Sequence, residues 1–247
     1  MTAIGADNRF KFAVPVYGCG HLWEGPTYLA YKMTEARKSW DPSRFYMQSG
    51  DMPILWFVTN RDQNFSLDCI SASYLDVFDK ANLCIVDNFS HSEAYGSIIC
   101  ATPNWGITQA GIEQISNAMI EFVRSSFGEE DAVGLAKISR LAVNGKNITA
   151  TVDLPEGVSA DGGQATLKYI TYENYSDCYS TINENTTYWL PGGDGTSNSY
   201  NYPWPSADAT VNGTTISVTA PDNATYCYIE YTDSRNMYTS SEMVKLN

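Results

Sequence analysis

This 247-residue chain lacks the features of several large classes of protein. No apolar run approaches the ~18 residues that a membrane-spanning helix requires. Lysine and arginine are scarce, 15 against 28 acidic residues, and the resulting net charge is −13. We therefore expect no nucleic-acid partner, because phosphate-binding surfaces are built from basic side chains. No basic stretch with a following apolar segment and cleavage site opens the chain, so no signal peptide is visible.

Histidine is also scarce, and the cysteines form no recognisable motif. Only His21 and His91 are present, so any chemistry that needs an imidazole has two candidates. The six cysteines include no Cys-x-x-Cys pair, and two histidines cannot complete several metal sites. We therefore expect no metal and no cofactor. Cys178 and Cys227 could form a disulfide if the protein is exported to an oxidising compartment.

The first half of the chain alternates buried strands with helices. Three near-continuous apolar runs predict parallel strands that are covered on both faces: Phe10–Tyr17, Pro53–Thr59 and Leu83–Val86. Helical spacing begins at Pro26, after Ser66 and after Thr108, and the last of these helices ends at Gly128. Strands that alternate with helices imply an α/β layer with crossover connections.

The second half of the chain has the pattern of an all-β domain. Asn144-Gly145 and Asn212-Gly213 each separate two alternating runs, which is the strongest short-range signal for a β-hairpin. Further strands are predicted at Ala165–Tyr172, Thr187–Leu190, Thr225–Tyr231 and Met237–Lys245. We therefore predict an α/β domain over residues 1–131, followed over 132–247 by an immunoglobulin-like β-sandwich.

Two candidate catalytic residues follow two of the predicted parallel strands. Asp62 comes just after Pro53–Thr59, and His91 just after Leu83–Val86. The carboxyl ends of parallel strands meet at one edge of the sheet, where α/β proteins build their sites. An acid followed by a histidine is also the second half of the Ser…Asp…His order of α/β-hydrolases. The acid would orient the imidazole, and the histidine would act as general base for a hydroxyl nucleophile.

A structural interpretation of both residues remains open. An aspartate after a strand is commonly a turn former or a helix cap, and a histidine in a polar loop is commonly just solvated. Asp68 is an alternative acid, but it falls inside the predicted helix after Ser66, so Asp62 is favoured. Cys19 is an alternative nucleophile that we disfavour, because its glycines are adjacent to it and not two residues away on each side. A small buried residue at a strand end is its structural interpretation.

Several stretches of the chain resemble one enzyme family. Arg9–Gly20 looks like the strand after the nucleophile elbow in bacterial acetyl-xylan-esterase/dienelactone-hydrolase-like α/β-hydrolases. The helix Thr108–Phe127 is similar to the one after that family's histidine. Other stretches resemble the segment before the family's acid and its appended β-sandwich: Asp41–Ser43, Pro53–Trp56, Thr59–Asp62, Tyr202–Trp204, Tyr231–Arg235 and Ser240–Glu242. The resemblance implies hydrolysis of esters, often of acylated carbohydrate, by secreted or periplasmic enzymes.

The chain departs from this family at the nucleophile. The family's Gly-x-Ser-x-Gly elbow should precede Phe10, and the motif occurs nowhere in the sequence. We therefore expect a partial α/β-hydrolase that holds the last three parallel strands, carries the acid and the base, and is inactive alone. Phe10–Tyr17 would then be an exposed sheet edge, which favours pairing with a complementary N-terminal fragment or with a second copy.

A second class of function also fits the sequence. The chain could be a non-catalytic surface protein that binds a polysaccharide or a protein partner. Trp189 and Trp204 lie in the predicted sandwich, and aromatic faces there could stack on sugar rings. The structural alternative is that these aromatic residues pack in the sandwich core.

Overall fold

The protein combines a small parallel sheet with two antiparallel sheets. A computed structural model describes residues 2–7, 9–24, 35–60, 62, 65–87, 109–173 and 204–247. Within these ranges, helices and parallel strands come first and antiparallel strands follow. This order confirms the prediction of a partial α/β part followed by an all-β part. The helix predicted after Pro26 and the strand predicted at Thr187–Leu190 lie outside the described residues.

The parallel sheet is built on two buried strands. β1 (Ile54–Thr59) pairs in parallel with β2 (Ala81–Val86), and the register runs from Ile54 opposite Ala81 to Thr59 opposite Val86. All six residues of β1 are buried. Both strands confirm the prediction from their continuous apolar runs, which is the pattern of strands covered on both faces.

The predicted strand Phe10–Tyr17 is only partly regular. Ala13 and Val16 form isolated parallel bridges to β1, and the Phe57 N–H donates to the Pro15 carbonyl at 2.9 Å. Pro15 has no N–H, so one ladder bond between the two bridges is missing. Within the described ranges, no backbone hydrogen bond reaches Val14 or Val16 from the opposite side, and Val16 is 44% exposed. Pairing of this edge with another chain stays a prediction.

Five α-helices lie within the described ranges. They are α1 (Thr2–Ala6), α2 (Glu35–Lys38), α3 (Ser43–Tyr46), α4 (Leu67–Asp76) and α5 (Gln109–Phe127), with a 3-10 turn at Phe78–Lys80. Ser66 occupies the N-cap position of α4 in an extended conformation, but its side chain makes no capping bond. α5 ends where Gly128 adopts a positive φ of +78°, which confirms the predicted stop.

Ten of the described strands form the antiparallel sheets. They are β3 (Lys137–Ile138), β4 (Ala142–Asn144), β5 (Asn147–Asp153), β6 (Gln164–Ile170), β7 (Ser206–Asp208), β8 (Thr210–Asn212), β9 (Thr215–Thr219), β10 (Tyr226–Thr232), β11 (Tyr238–Ser240) and β12 (Val244–Lys245). One sheet has the order β3-β5-β9-β8 with β4 beside β5, and the other has β11-β10-β6-β7 with β12 beside β10. Side chains from both sheets share one core, so the sheets pack face to face.

Both predicted Asn-Gly hairpins are confirmed. Asn144 pairs with Asn147 at the end of β4 and β5, and Asn212 pairs with Thr215 at the end of β8 and β9. The glycine after each asparagine has φ near +59°, a conformation that side chains disfavour. The run predicted as one strand at Met237–Lys245 is divided into β11 and β12. Between them, the Met243 N–H donates to Ser71 Oγ on α4 and not to a neighbouring strand.

The β-sheet part packs directly against the α/β part. One hydrophobic core contains Trp56 and Ile85 from the parallel strands together with Trp204, Tyr228 and Met243 from the second half. The free edge of β2 is covered by side-chain hydroxyls of β11: Tyr238 donates to the Ile85 carbonyl, Thr239 donates to the Leu83 carbonyl, and Ser240 accepts from the Ile85 N–H. The division into domains at residue 131 stays a prediction, but the two parts share a core.

None of the helices in the described ranges is both long and apolar enough to cross a membrane.

Candidate active site

Asp62 lies buried at the carboxyl end of β1. It is 1% exposed and comes three residues after Thr59, the last residue of the strand. Its Oδ1 accepts a hydrogen bond from the Phe65 N–H at 3.1 Å. This bond holds the turn that leads into α4, so Asp62 has the structural role that we considered for it. Burial at the end of a parallel strand also matches the position of a catalytic acid.

His91 lies outside the described residues, and its proximity to Asp62 stays a prediction. β2, which precedes it, ends at Val86 directly beside Thr59 of β1. The chain therefore leaves both strands at the same edge of the sheet. Asp68, the alternative acid, lies in α4 as expected. The pKa of Tyr226 in β10 is raised, mainly by burial and in addition by the negative charge of Asp68.

Cys19 is a buried thiol close to Asp62. Burial is the main reason that its pKa is raised well above the ordinary value, and the thiol of Cys69 and the charges of Asp62 and Asp41 raise it further. A thiol that keeps its proton is a poor nucleophile. This environment favours the structural interpretation of Cys19. Cys227, which we considered as a disulfide partner of Cys178, is a free buried thiol whose pKa burial raises to about 12; Cys178 lies outside the described residues.

Asp41 organises the loop after Cys19, and sequence reasoning assigned it no role in the site. Its carboxylate accepts the backbone N–H groups of His21 at 3.0 Å, Leu22 at 3.1 Å and Ser43 at 2.9 Å. Asp41 is 1% exposed, and these three hydrogen bonds offset the free-energy cost of burying its carboxylate. The sequence Asp-Pro-Ser is a local signal for such a turn, because an aspartate side chain readily accepts the N–H of the residue two positions on.

His21 is held between two carboxylates. Its Nε2 lies 2.7 Å from Asp76 Oδ2, and its Nδ1 lies 3.1 Å from Glu24 Oε2. Tyr46 Oη also donates to Asp76, at 3.0 Å. Burial lowers the pKa of His21, but Asp76 and Glu24 outweigh it and the net pKa is raised. Nε2 is thus bonded to Asp76, whereas Nδ1 makes no hydrogen bond within the described residues. His91 stays the candidate base because it follows the acid and a strand end in the order of an α/β-hydrolase.

An exposed aromatic side chain precedes Asp41 in the chain. The Trp40 indole is 73% exposed and stacks on Phe45, with 6.3 Å between the ring centroids and 24° between the planes. The Arg44 guanidinium lies 5.6 Å above the Trp23 ring. By contrast, Trp204 is 3% exposed and packs on Tyr228, so it belongs to the core, and Trp189 lies outside the described residues. Sequence reasoning looked for exposed aromatic rings in the second half, where Tyr172 is 52% exposed, but Trp40 in the first half is more exposed.

Comparison with known proteins gives a distant likeness to a solved structure. No family model and no curated protein matches the chain. The solved structure is that of a carbohydrate acetylesterase from Xanthomonas citri, with 10% sequence identity and a TM-score of 0.33. The alignment covers 81% of this chain and 42% of the esterase, so the chain spans less than half of that enzyme's length.

Proposed function

We propose that this chain carries the acid and the base of a carboxylester hydrolase that acts on acylated carbohydrate. The observation that supports this most is the buried carboxylate of Asp62 at the carboxyl end of β1, beside the strand that leads to His91. The proposal includes the fold: the segment Phe10–Tyr17, β1 and β2 are the last three strands of an α/β-hydrolase sheet, and the antiparallel sheets are an immunoglobulin-like sandwich. The family that the sequence resembles consists of secreted or periplasmic enzymes, so we propose a secreted or periplasmic location.

In the proposed reaction, His91 removes the proton from a hydroxyl nucleophile as that oxygen attacks the ester carbonyl. The imidazolium then returns the proton to the alcohol that leaves, and water releases the acyl group by the same steps. Asp62 holds the imidazole in one tautomer and stabilises its positive charge. Its burial strengthens this interaction, because a charge pair is weakly screened away from water.

The nucleophile of the proposed reaction is not assigned to this chain. No Gly-x-Ser-x-Gly occurs in the sequence, and the buried Cys19 retains its proton. We therefore expect the chain alone to show little or no hydrolysis of p-nitrophenyl acetate. A hydrolysis rate far above that of the buffer, retained in His91→Ala, would contradict the assigned role of His91.

The proposed acid–base pair can be tested without activity, because the chain contains only two histidines. Proton NMR titration resolves the two imidazoles, and His21→Gln and His91→Gln assign their signals. We expect Asp62→Asn to lower the pKa of His91 by about 1, since a neighbouring carboxylate stabilises the imidazolium. The asparagine side chain would keep an oxygen that accepts from the Phe65 N–H, so the turn into α4 should survive the change.

His21 provides the matched control for this titration. Asp76→Asn should lower the pKa of His21, whose Nε2 contacts Asp76, and leave His91 unchanged. Asp62→Asn should do the reverse. If Asp62→Asn leaves the pKa of His91 where it was while the Asp76 control responds, Asp62 and His91 are not a pair and the proposal fails.

The exposed Trp40 supports a second candidate function, binding of a polysaccharide without catalysis. An indole that is 73% exposed and fixed by stacking offers a flat apolar face for a sugar ring. We expect Trp40→Ala to weaken binding of xylo-oligosaccharides by about fivefold or more in calorimetry. Phe127→Ala removes another exposed aromatic ring, 62% exposed at the end of α5, and should leave binding unchanged. Equal affinities of the parent and both variants would exclude Trp40 from sugar binding.

A further inference from the structure

A polar cluster joins the ends of the parallel strands to the β-sheet part. Asn60 directly follows β1 and Asp87 directly follows β2. Asn60 Nδ2 donates to Asp87 Oδ1 at 2.7 Å and to Tyr228 Oη at 3.1 Å. Lys168 Nζ of β6 donates to Asp87 Oδ2 at 2.7 Å and lies 3.9 Å from Glu230 Oε2 of β10. The cluster thus spans both parts of the protein through side chains alone.

These side chains are largely shielded from water. The Lys168 side chain is 12% exposed, Glu230 16% and Asp87 23%, and Asn60 is buried. A shielded ion pair is screened less than a surface pair, and loss of one partner leaves an uncompensated charge. Asp87 has both oxygens occupied, one by Asn60 and one by Lys168. Its position therefore depends on a residue of the second half of the chain.

The cluster lies at the edge of the sheet that carries the candidate acid. Asn60 precedes Asp62 by two residues, and the Asn60 N–H donates to the Val86 carbonyl at 3.4 Å. The ends of β1 and β2 are thereby joined twice, once through the backbone and once through Asn60 and Asp87. A catalytic pair must be held closely in place by its supporting residues.

We infer that Lys168 is a positioning residue, through which the β-sheet part fixes Asp87 and Asn60 and so holds the strand ends that carry the candidate acid and base. This inference rests on the proposed function for its catalytic meaning. By this inference, the second half of the chain helps to position the candidate site and is not an independent appended domain. The effect of Lys168 on the positions of Asp87 and Asn60 can be measured whether or not the site hydrolyses esters.

Amide hydrogen exchange on the full chain tests the link. In Lys168→Met we expect exchange of the Asn60 N–H and of the Phe65 N–H, which bonds to Asp62, to accelerate about tenfold through local opening. Lys168→Arg keeps the charge, so exchange should stay slow in this variant. The NMR signals of the Asn60 side-chain amide should also stay as they are in the parent. In an Asp87→Asn background, Lys168→Met should have little further effect, because its main partner is already neutral.

Lys146→Met is the matched control. Lys146 lies in the β4–β5 turn and donates to the Ala224 carbonyl, away from the strand ends. It should leave exchange at Asn60 and Phe65 unchanged. Acceleration across all strands in Lys168→Met, or none at Asn60, would overturn the inference. If Lys168→Met does not fold, Asp87→Asn carries the same expectation at Asn60.

The outcome of the His91 titration does not depend on the outcome of this exchange experiment. An unchanged His91 pKa in Asp62→Asn would show that Asp62 and His91 are not a catalytic pair, so Lys168 would not be positioning an active site. Accelerated exchange at Asn60 in Lys168→Met would still keep the positioning role. The two experiments therefore distinguish a failure of the proposed function from a failure of the inference about Lys168.

Discussion

Replacing Arg235 with methionine is expected to lower the free energy of unfolding by about 3–5 kcal/mol, because two buried carboxylates then lose their cation. The Arg235 guanidinium donates to Asp233 at 2.6 and 3.0 Å, to Glu121 of α5 at 3.3 Å and to the Gly134 carbonyl at 2.8 Å. The Asp233 side chain is fully buried and that of Glu121 is 9% exposed. Urea denaturation followed by circular dichroism measures the change.

Arg124 provides the matched control for Arg235, on the same helix as Glu121. Its guanidinium pairs with Glu129 and Asp131, whose side chains are 47% and 76% exposed. Exposed ion pairs contribute little to stability, so Arg124→Met should have a small effect. Arg235→Lys should fall between the two, since lysine keeps the charge but lacks the planar fork. Similar losses in Arg235→Met and Arg124→Met would show that the buried network does not hold α5 to the β-sheet part.

The elements that the sequence predicted well are those with a local signal. β1 follows from a near-continuous apolar run, and the two Asn-Gly hairpins follow from glycines that adopt positive φ. α5 follows from its apolar spacing and from Gly128 after its last turn. In each case the information lies within the segment itself, so no knowledge of the rest of the fold was needed.

The contacts between the two parts had no local signal. Lys168 stands in an alternating strand, where a lysine normally points to solvent, and its partner Asp87 is 81 residues away. Ser240 gives no hint in the sequence that its hydroxyl will satisfy the N–H of Ile85 at the edge of β2. The strand pattern likewise predicts that Asp62 follows β1, whereas its distance from His91 is set by contacts that no local pattern encodes. Side-chain pairing at long separation depends on how sheets pack, and composition does not determine that.

Replacing Glu230 with glutamine is expected to stabilise the protein at alkaline pH. The net pKa of Glu230 is raised from its ordinary 4.5 to about 7. Burial raises it most, Lys168 lowers it, Asp87 raises it, and the hydroxyls of Tyr238 and Tyr228 lower it. Because the folded-state pKa is raised, the folded state binds the proton more tightly than the unfolded chain. Ionisation of this carboxyl therefore costs stability as the pH rises above 4.5, and the full cost of about 3 kcal/mol is present above pH 7.

Glutamine at this position carries no charge at any pH and still presents an oxygen to Tyr238 Oη, which lies 2.9 Å from Glu230 Oε1. We expect Glu230→Gln to be more stable than the parent by about 2–3 kcal/mol near pH 8, and by less than about 1 kcal/mol near pH 5. Urea denaturation at both pH values measures the difference. Glu156→Gln makes the same change on the exposed surface and should show no such pH dependence. A gain that is equal at the two pH values would mean that the effect comes from packing or hydrogen bonding and not from the proton that Glu230 retains among Lys168, Asp87 and the two tyrosines.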